Sequence, residues 1–471
     1  FNQAFTDALG VRNDANIDDL SLLMPRLGFT WDASDELSVR GGLGLYSGGN
    51  PNVWISNAWS NDGVTNVQET LSNFSGANSV LDGSIPLTGA RPGYDIPQAL
   101  FDSVAATTAA DASIENLVLI SPSYKQPREW KFALGATYNL PWYEIQMDVD
   151  YLYSRAVNSA YYIDISQEKI GETVIGQPIY DYASGQGEDN FMLTNSNRDA
   201  RSDLWSIQFQ KDFDWGLDLS FGYAYTDATD ISPMTSSVAG SNFSNLALND
   251  IANPSPATSN YVVPHRFTLR ASYARDFFGD NTTRFTVFTF AQEGQPQSYV
   301  MGSGGQEGDG FFGRHLLYVP TGGDDPNVVF FPGVVADPAN DIEEVPAFDQ
   351  AAFFAWANRE GLSPGLQERN GQHAKWSSRV DFRVDQEFPA FVGDSKGRVF
   401  MKVYNVGNLL NDDWGRVNDS QFFSVQVVDS SLVGDGTGRY LFESFSDRSI
   451  EQVRENRSLY EIRLGIEIDF E

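Results

Sequence analysis

Apolar and polar residues alternate with a period of two in eleven separate stretches of this 471-residue chain. The cleanest is the last, "SLYEIRLGIEIDFE" (458–471). There Tyr460, Ile462, Leu464, Ile466, Ile468 and Phe470 alternate with Glu461, Arg463, Gly465, Glu467 and Asp469. A period of two predicts a β-strand with one apolar and one charged face. The same pattern comes in pairs elsewhere. "PRLGFTW" (25–31) and "ELSVRGGLGLY" (36–46) are separated by a few polar residues, and "EWKFALGATYNL" (129–140) meets "YEIQMDVDYLYSR" (143–155) at Pro141-Trp142. "SDLWSIQFQKDF" meets "LDLSFGYAYTDA" across "DWG", and "HRFTLRASYARDF" meets "TRFTVFTFAQ" across "FGDN". "KWSSRVDFRVDQEF" meets "RVFMKVYNVGN" across a longer turn at 389–397. The remaining connections, 47–127, 156–200, 229–263, 293–373 and 407–457, are very long.

Long strands with short turns at one end and long loops at the other predict a transmembrane antiparallel β-barrel, its turns in the periplasm and its loops outside. The faces agree. Ile145, Met147, Val149, Tyr151 and Tyr153 form one side of 143–155, and Gln146, Asp148 and Asp150 the other; Val380, Phe382 and Val384 oppose Arg379, Asp381, Arg383 and Asp385. Mid-strand charges would ruin a sandwich core but suit a wet or plugged lumen, so the apolar face is expected to meet lipid. Trp31, Trp142, Tyr143, Phe213, Trp215, Phe277, Phe278, Phe388 and Phe391 gather at the short-turn ends. One such ring would be read as the cap of a soluble core. Recurrence at every tight turn predicts an interfacial girdle, with Trp142, Trp215, Phe277 and Phe278 as its main members.

Composition narrows the classes. The 33 Phe, 20 Tyr and 10 Trp supply a large apolar area, while the absence of cysteine excludes disulfides and thiolate metal sites. A net charge of −32 speaks against nucleic-acid binding through a positive field. The apolar run "VVFFPGVVA" is broken by Pro332-Gly333, so no transmembrane helix is expected. His265, His315 and His373 lie far apart, and "GSGGQEGDG" lacks the Lys-Ser/Thr of a phosphate loop. The acidic run 324–344 offers carboxylates to Ca²⁺ but lacks a twelve-residue ligand spacing, which favours a solvated loop and no cofactor. No nucleophile–base pair points to an enzyme.

Three segments resemble a known family. "RLGIEIDF" is similar to the C-terminal assembly signal of outer-membrane barrels, carried by Arg463, Gly465, Ile468 and Phe470; Glu471 follows where the family usually ends on the aromatic. "VYNVGNLLNDDWG" (403–415) resembles the segment leaving the penultimate strand of TonB-dependent receptors. "PRLGFTWDASDELSVRGGLGLYSGGNPNVWISNAWSNDGV" (25–64) is similar to mid-barrel sequence of the Oar-like members. The resemblance implies a 22-stranded barrel in which residues 25–471 supply the C-terminal strands and residues 1–24 are the remnant of an extracellular loop. It also implies a plug and a first barrel half from elsewhere, energising by TonB–ExbB–ExbD, surrounding outer-membrane lipid and lipopolysaccharide, and a surface lipoprotein or ligand as a further partner. Eleven strands fit that reading, because single-chain bacterial barrels have an even number and eleven cannot close alone. The start at Phe1 is read the same way, as a mature or partial chain.

The expected function is therefore a receptor that binds a ligand at its outer loops and transports it inward. The alternative is a porin or adhesin barrel without an energised gate, and a third class is a secreted β-rich binding protein. Exposed loop aromatics bind by stacking, which makes Trp54, Trp59, Phe353, Phe354 and Trp356 the ligand candidates. Two loop helices are expected, one starting at Pro97 and one capped by Asp349 and ended at Gly361. Asp148, Arg379, Asp381, Arg383, Asp385, Arg463 and Glu467 are the expected lumen and plug contacts.

Overall fold

The computed structural model describes residues 1–15, 21–48, 52–64, 89, 91, 94–106, 108, 112–183, 188–302, 313–336, 343–390, 395–421 and 424–468. Its main feature is one antiparallel sheet in which eleven strands follow each other in chain order. They are β1 (Arg26–Asp32), β2 (Leu37–Tyr46), β3 (Arg128–Leu140), β4 (Ile145–Val157), β5 (Arg201–Asp212) and β6 (Leu217–Asp230). Then come β7 (His265–Phe278), β8 (Asn281–Gln292), β9 (Ser377–Pro389), β10 (Lys396–Tyr404) and β11 (Glu461–Ile468). A short strand, Ala257–Thr258, pairs with the end of β6 off this path.

Register decides what the sheet presents. Arg40 stands opposite Gly135, Gly135 opposite Asp150, Asp150 opposite Ser206, Ser206 opposite Ala224 and Ala224 opposite Arg266. Followed through Thr286, Arg383, Lys402 and Arg463, the polar positions stay on one face as far as β11. The opposite face collects Phe29, Leu43, Leu134, Tyr151, Trp205, Phe221, Leu269, Val287, Val380 and Leu464, all exposed by more than a third except Tyr151. A one-residue slip in any pair would invert this arrangement, so the apolar face is a property of the whole sheet. On β4 it runs from Ile145 to Tyr153, nine residues, the length a tilted strand needs to cross hydrocarbon.

The tight turns all lie at one end. At "DWG", Gly216 adopts φ 95°, and a Cβ there would lie 2.2 Å from the Ala274 carbonyl oxygen, so only glycine fits. The other end carries the long connections, which fold on themselves. One apolar cluster joins the connections before β9 and β11 around Tyr299, Phe348, Phe353, Trp356, Tyr440 and Phe442. Its backbone is a five-stranded sheet that includes two parallel pairings, Tyr299 with Val425 and Val328 with Tyr440. A second cluster joins the connections before β3, β5 and β7 through Val118, Tyr162, Leu193 and Phe243. Near the start of the chain, helix Gln3–Leu9 is capped by Asn2 and buries Phe5 against Leu117 and Leu119.

Candidate functional site

The charged face of the sheet carries paired side chains rather than isolated ones. Arg40 Nη2 donates to Asp150 Oδ1 at 2.7 Å and Nη1 to Thr137 Oγ1 at 3.0 Å, while Thr137 donates to Asp148 at 2.5 Å. Gly135 lies between them, and a Cβ on it would sit 2.2 Å from the Asp150 carboxylate, so this pair needs a residue without a side chain. Across the sheet, Arg379 donates to Asp381 at 3.0 Å, and the buried Asp381 also accepts the Asn405 backbone amide at 3.0 Å. Arg383 Nε donates to both Asp385 oxygens at 2.8 and 2.9 Å, and Glu467 lies 3.8 Å from Arg383 and 3.4 Å from Arg398. Arg463 donates to Glu461 at 2.6 Å. A cleft of about 470 Å³ opens here, lined by Thr282, Arg284, Thr286, Arg383, Asp385, Glu387 and Arg398. Asp148, Arg379, Asp381, Arg383, Asp385, Arg463 and Glu467 thus share one face, the face that a barrel turns to its lumen.

Gly465 of the assembly-signal segment stands opposite Phe400, and a Cβ there would lie 2.4 Å from that ring. The glycine therefore makes room for a luminal aromatic. Arg463 and Ile468 lie on β11, on opposite faces. Phe470 lies outside the described residues, as does Phe391.

The loop aromatics divide. The helix Gln350–Arg359 forms where expected: Asp349 accepts the Ala352 amide at 2.9 Å, and Gly361 follows its end at φ 70°. Its rings, however, point inward. Phe353 and Trp356 are 0% and 1% exposed, and Trp356 Nε1 donates to the Arg448 carbonyl at 3.2 Å. These two are therefore core residues of the loop layer and not exposed ligand contacts; the pattern of the helix alone could not reveal Tyr299 and Phe445 as their neighbours. Phe354 is half-buried against Phe330. Trp54 is half-buried on the second cluster and donates to the Ser236 carbonyl at 3.2 Å. Trp59, 49% exposed, is the candidate whose ring presents most surface. The other expected loop helix occupies Gln98–Ala106, directly after Pro97.

At the turn end, Trp142, Trp215, Phe277 and Phe278 are all more than half exposed, with Trp31 and Tyr143. A second row at the loop end was not anticipated. His265, Phe267 and Trp376 stack at 6.3 and 6.1 Å between centroids, and the Tyr223 hydroxyl lies 2.9 Å from His265 Nδ1. Its sequence signal is parity: Tyr223, His265 and Phe267 fall on the apolar face, and Trp376 directly precedes β9.

Two carboxylates in the connections have contrasting environments. Asp325 accepts from the Thr321 amide at 2.7 Å, the Asn327 amide at 2.9 Å and the Tyr318 hydroxyl at 3.2 Å. Those contacts hold its pKa below the usual carboxylate value despite burial. This saturated carboxylate lies within the acidic run considered for Ca²⁺; residues 337–342 of that run lie outside the described residues. Asp164 is buried, and its Oδ1 accepts the Ser166 and Asn190 amides at 2.9 and 3.2 Å, but Oδ2 has no hydrogen-bond partner. Burial pushes its carboxyl up to about 6. The folded chain then holds a proton here that the unfolded chain releases near pH 4, so stability falls as pH rises between about 4 and 6. Asp164→Asn keeps an acceptor for both amides and removes the buried anion. It should raise stability at pH 7.5 by up to about 2 kcal/mol and change little at pH 4, read as the melting temperature at each pH.

The geometry defines a class first: a membrane-spanning sheet with a lipid-facing apolar side, a charged inner wall and a folded layer of outer connections. A family profile for an outer membrane beta barrel domain matches residues 4–420, and the chain belongs to that family. No curated protein matches the chain. Among solved structures, it is similar to the outer membrane transporter YddB from Escherichia coli, at 10% identity and TM-score 0.43, covering 95% of this chain and 40% of that one. It is similar to BauA, the ferric preacinetobactin receptor from Acinetobacter baumannii, at 10% identity and TM-score 0.38, covering 95% and 36%. It is also similar to the FrpB iron transporter from Neisseria meningitidis, at 9% identity and TM-score 0.38, covering 94% and 39%. The chain spans about two fifths of the length of these structures.

Proposed function

We propose that this chain is the C-terminal part of an Oar-like, TonB-dependent outer-membrane receptor. Such a receptor captures a ligand on the long-connection side and passes it to the periplasm when TonB acts on a plug. The observation that carries the reading is the pair of free sheet edges: among the described residues, β1 pairs only with β2, and β11 only with β10. A transmembrane sheet cannot leave backbone amides unpaired in lipid, so the barrel must close on further strands. Eleven strands with β11 running toward the turn side are strands twelve to twenty-two of a 22-stranded barrel, and residues 1–24 then belong to the extracellular connection that leads into β1. The charged luminal face suits a polar plug, and the two apolar clusters in the connections favour a closed mouth over an open porin. TonB–ExbB–ExbD is the energising partner in this reading, outer-membrane lipid and lipopolysaccharide surround the sheet, and a surface lipoprotein or a ligand meets the connections.

The test is capture of the full-length gene product from outer membranes by the periplasmic domain of TonB. Specific retention is expected. A heat-modifiable barrel that TonB never retains would leave the un-energised porin or adhesin as the better reading. A second prediction concerns assembly. Phe470→Ala costs about 1–3 kcal/mol by area alone, which a large folded barrel tolerates. If the terminal segment is read during assembly, the substitution lowers the amount of barrel in the membrane while the assembled fraction melts normally. Unchanged abundance with a lower melting temperature would reduce Phe470 to a structural residue.

A further inference from the structure

The charged wall is not electrically uniform. On β2 to β4 its anions, Glu129, Asp148 and Asp150, outnumber Arg40 and Lys131. On β7 to β11 the balance reverses. Arg383, Lys402 and Arg463 stand directly opposite one another on three neighbouring strands, an arrangement that like charges oppose. Asp385 offsets Arg383 and Glu461 offsets Arg463. Lys402 forms no ion pair among the described residues, and neither do Arg266 and Arg270 on the same face of β7. A chain of net charge −32 has acids to spare, yet it leaves these three cations without one.

Aromatic rings are interleaved with them on the same face. Phe288 and Phe290 on β8 lie 6.5 Å apart, and Phe288 stands opposite Arg270. The Arg266 and Arg379 guanidinium carbons are each 5.4 Å from the Phe290 ring. Tyr404 lies 4.1 Å from Lys402 Nζ and 5.0 Å from the Arg463 guanidinium. Cation–ring contacts hold Arg266 and Lys402 without neutralising them, so each remains able to receive an anion. Salt screens charges beyond about 8 Å at physiological ionic strength, which leaves recognition here to the local cations rather than to the acidity of the chain as a whole.

We propose that the loop-side half of the luminal wall on β7 to β11 binds a ligand carrying several acidic groups on a flat aromatic body. The acidic groups meet Arg266, Arg270 and Lys402, and the flat body lies against Phe288, Phe290 and Tyr404. The site rests on the reading of this chain as a receptor barrel and adds the chemical class of its ligand.

The probe is hydroxypyrene trisulfonate, a flat trianion, with binding followed by fluorescence anisotropy on the full-length receptor in neutral detergent. Saturable binding is expected, weakening as salt rises from about 50 to about 300 mM. The double variant Arg270→Gln, Lys402→Gln should bind at least about tenfold more weakly, since each cation supplies a charge-assisted contact. Lys402→Arg should recover part of that loss, and Arg40→Gln on the far wall should stay within about twofold of the parent. Heat-modifiable migration establishes that each variant is folded. No saturable binding by the parent, an unaltered affinity in the folded double variant, or an equal loss in Arg40→Gln would overturn the site. The assay contains no TonB, so failure here removes the anion site and leaves the energised-receptor reading to its own test.

Discussion

Val149→Arg and Phe221→Arg should each destabilise the barrel by about 2–4 kcal/mol, the cost of a cation on the lipid face near mid-membrane. Replacing Asp148 by Asn or Ser220 by Ala, one residue away in each strand, should cost well under half of that. The difference comes from register alone. Val149 shares its face with Ala136 and Ile207, and Phe221 shares the same face with Phe209 and Leu269. Asp148 and Ser220 point the other way, toward Thr137 and Gln208, where water or a plug can meet a polar group. The temperature at which the folded band converts to the unfolded band on a gel gives the comparison directly. Similar shifts for both pairs of substitutions would mean that the inner and outer faces have been assigned the wrong way round.

The sheet was legible in the sequence because its information is local and periodic. Each strand declares its two faces every second residue, and each tight turn fixes the register of the next pair, so the faces can be followed to Arg463 and Glu467 without coordinates. The connections were not legible for the opposite reason. Phe353 and Trp356 sit on a helix whose ends are well marked by Asp349 and Gly361, but the rings that bury them arrive from residues 299 and 445. Parallel pairings such as Tyr299 with Val425 join segments more than a hundred residues apart, and no local pattern announces them. Aromatic residues on a loop were therefore read as exposed when they form a core. The same limit applies to Arg266, Arg270 and Lys402. Their face was readable, but their lack of acidic partners appears only when the strands are placed side by side.

Arg369→Ala should be the most damaging single substitution in the outer connections, at about 3–5 kcal/mol, because it breaks a buried charged pair and strands its partners. The Arg369 side chain is 3% exposed. Nη2 donates to Asp230 Oδ1 at 2.8 Å and to the Asp230 and Ala257 carbonyls at 2.6 and 3.0 Å, while Nη1 donates to the Ile231 carbonyl at 3.0 Å. Burial alone lowers its pKa, and Asp230 works against that, so the acid is what keeps the charge tolerable. The next residue completes the clamp. Asn370, at φ 58°, donates to the Thr258 carbonyl at 2.7 Å and to Asn260 at 2.5 Å, and its amide donates to Ser298 Oγ at 2.8 Å. Together these contacts fasten the connection before β9 to the loop-side end of β6 and the strand Ala257–Thr258. Lysine cannot copy this fork: its three donors on a flexible stem do not match one carboxylate and three fixed carbonyls, so Arg369→Lys should recover little. Of the membrane strands, only the loop-side end of β6 takes part in the clamp through Asp230, which separates the two readouts. Thermolysin should cut the connection 293–376 faster in both variants while the barrel bands stay heat-modifiable. Unchanged protection of that connection in Arg369→Ala would show that the apolar cluster around Trp356 holds it without the arginine.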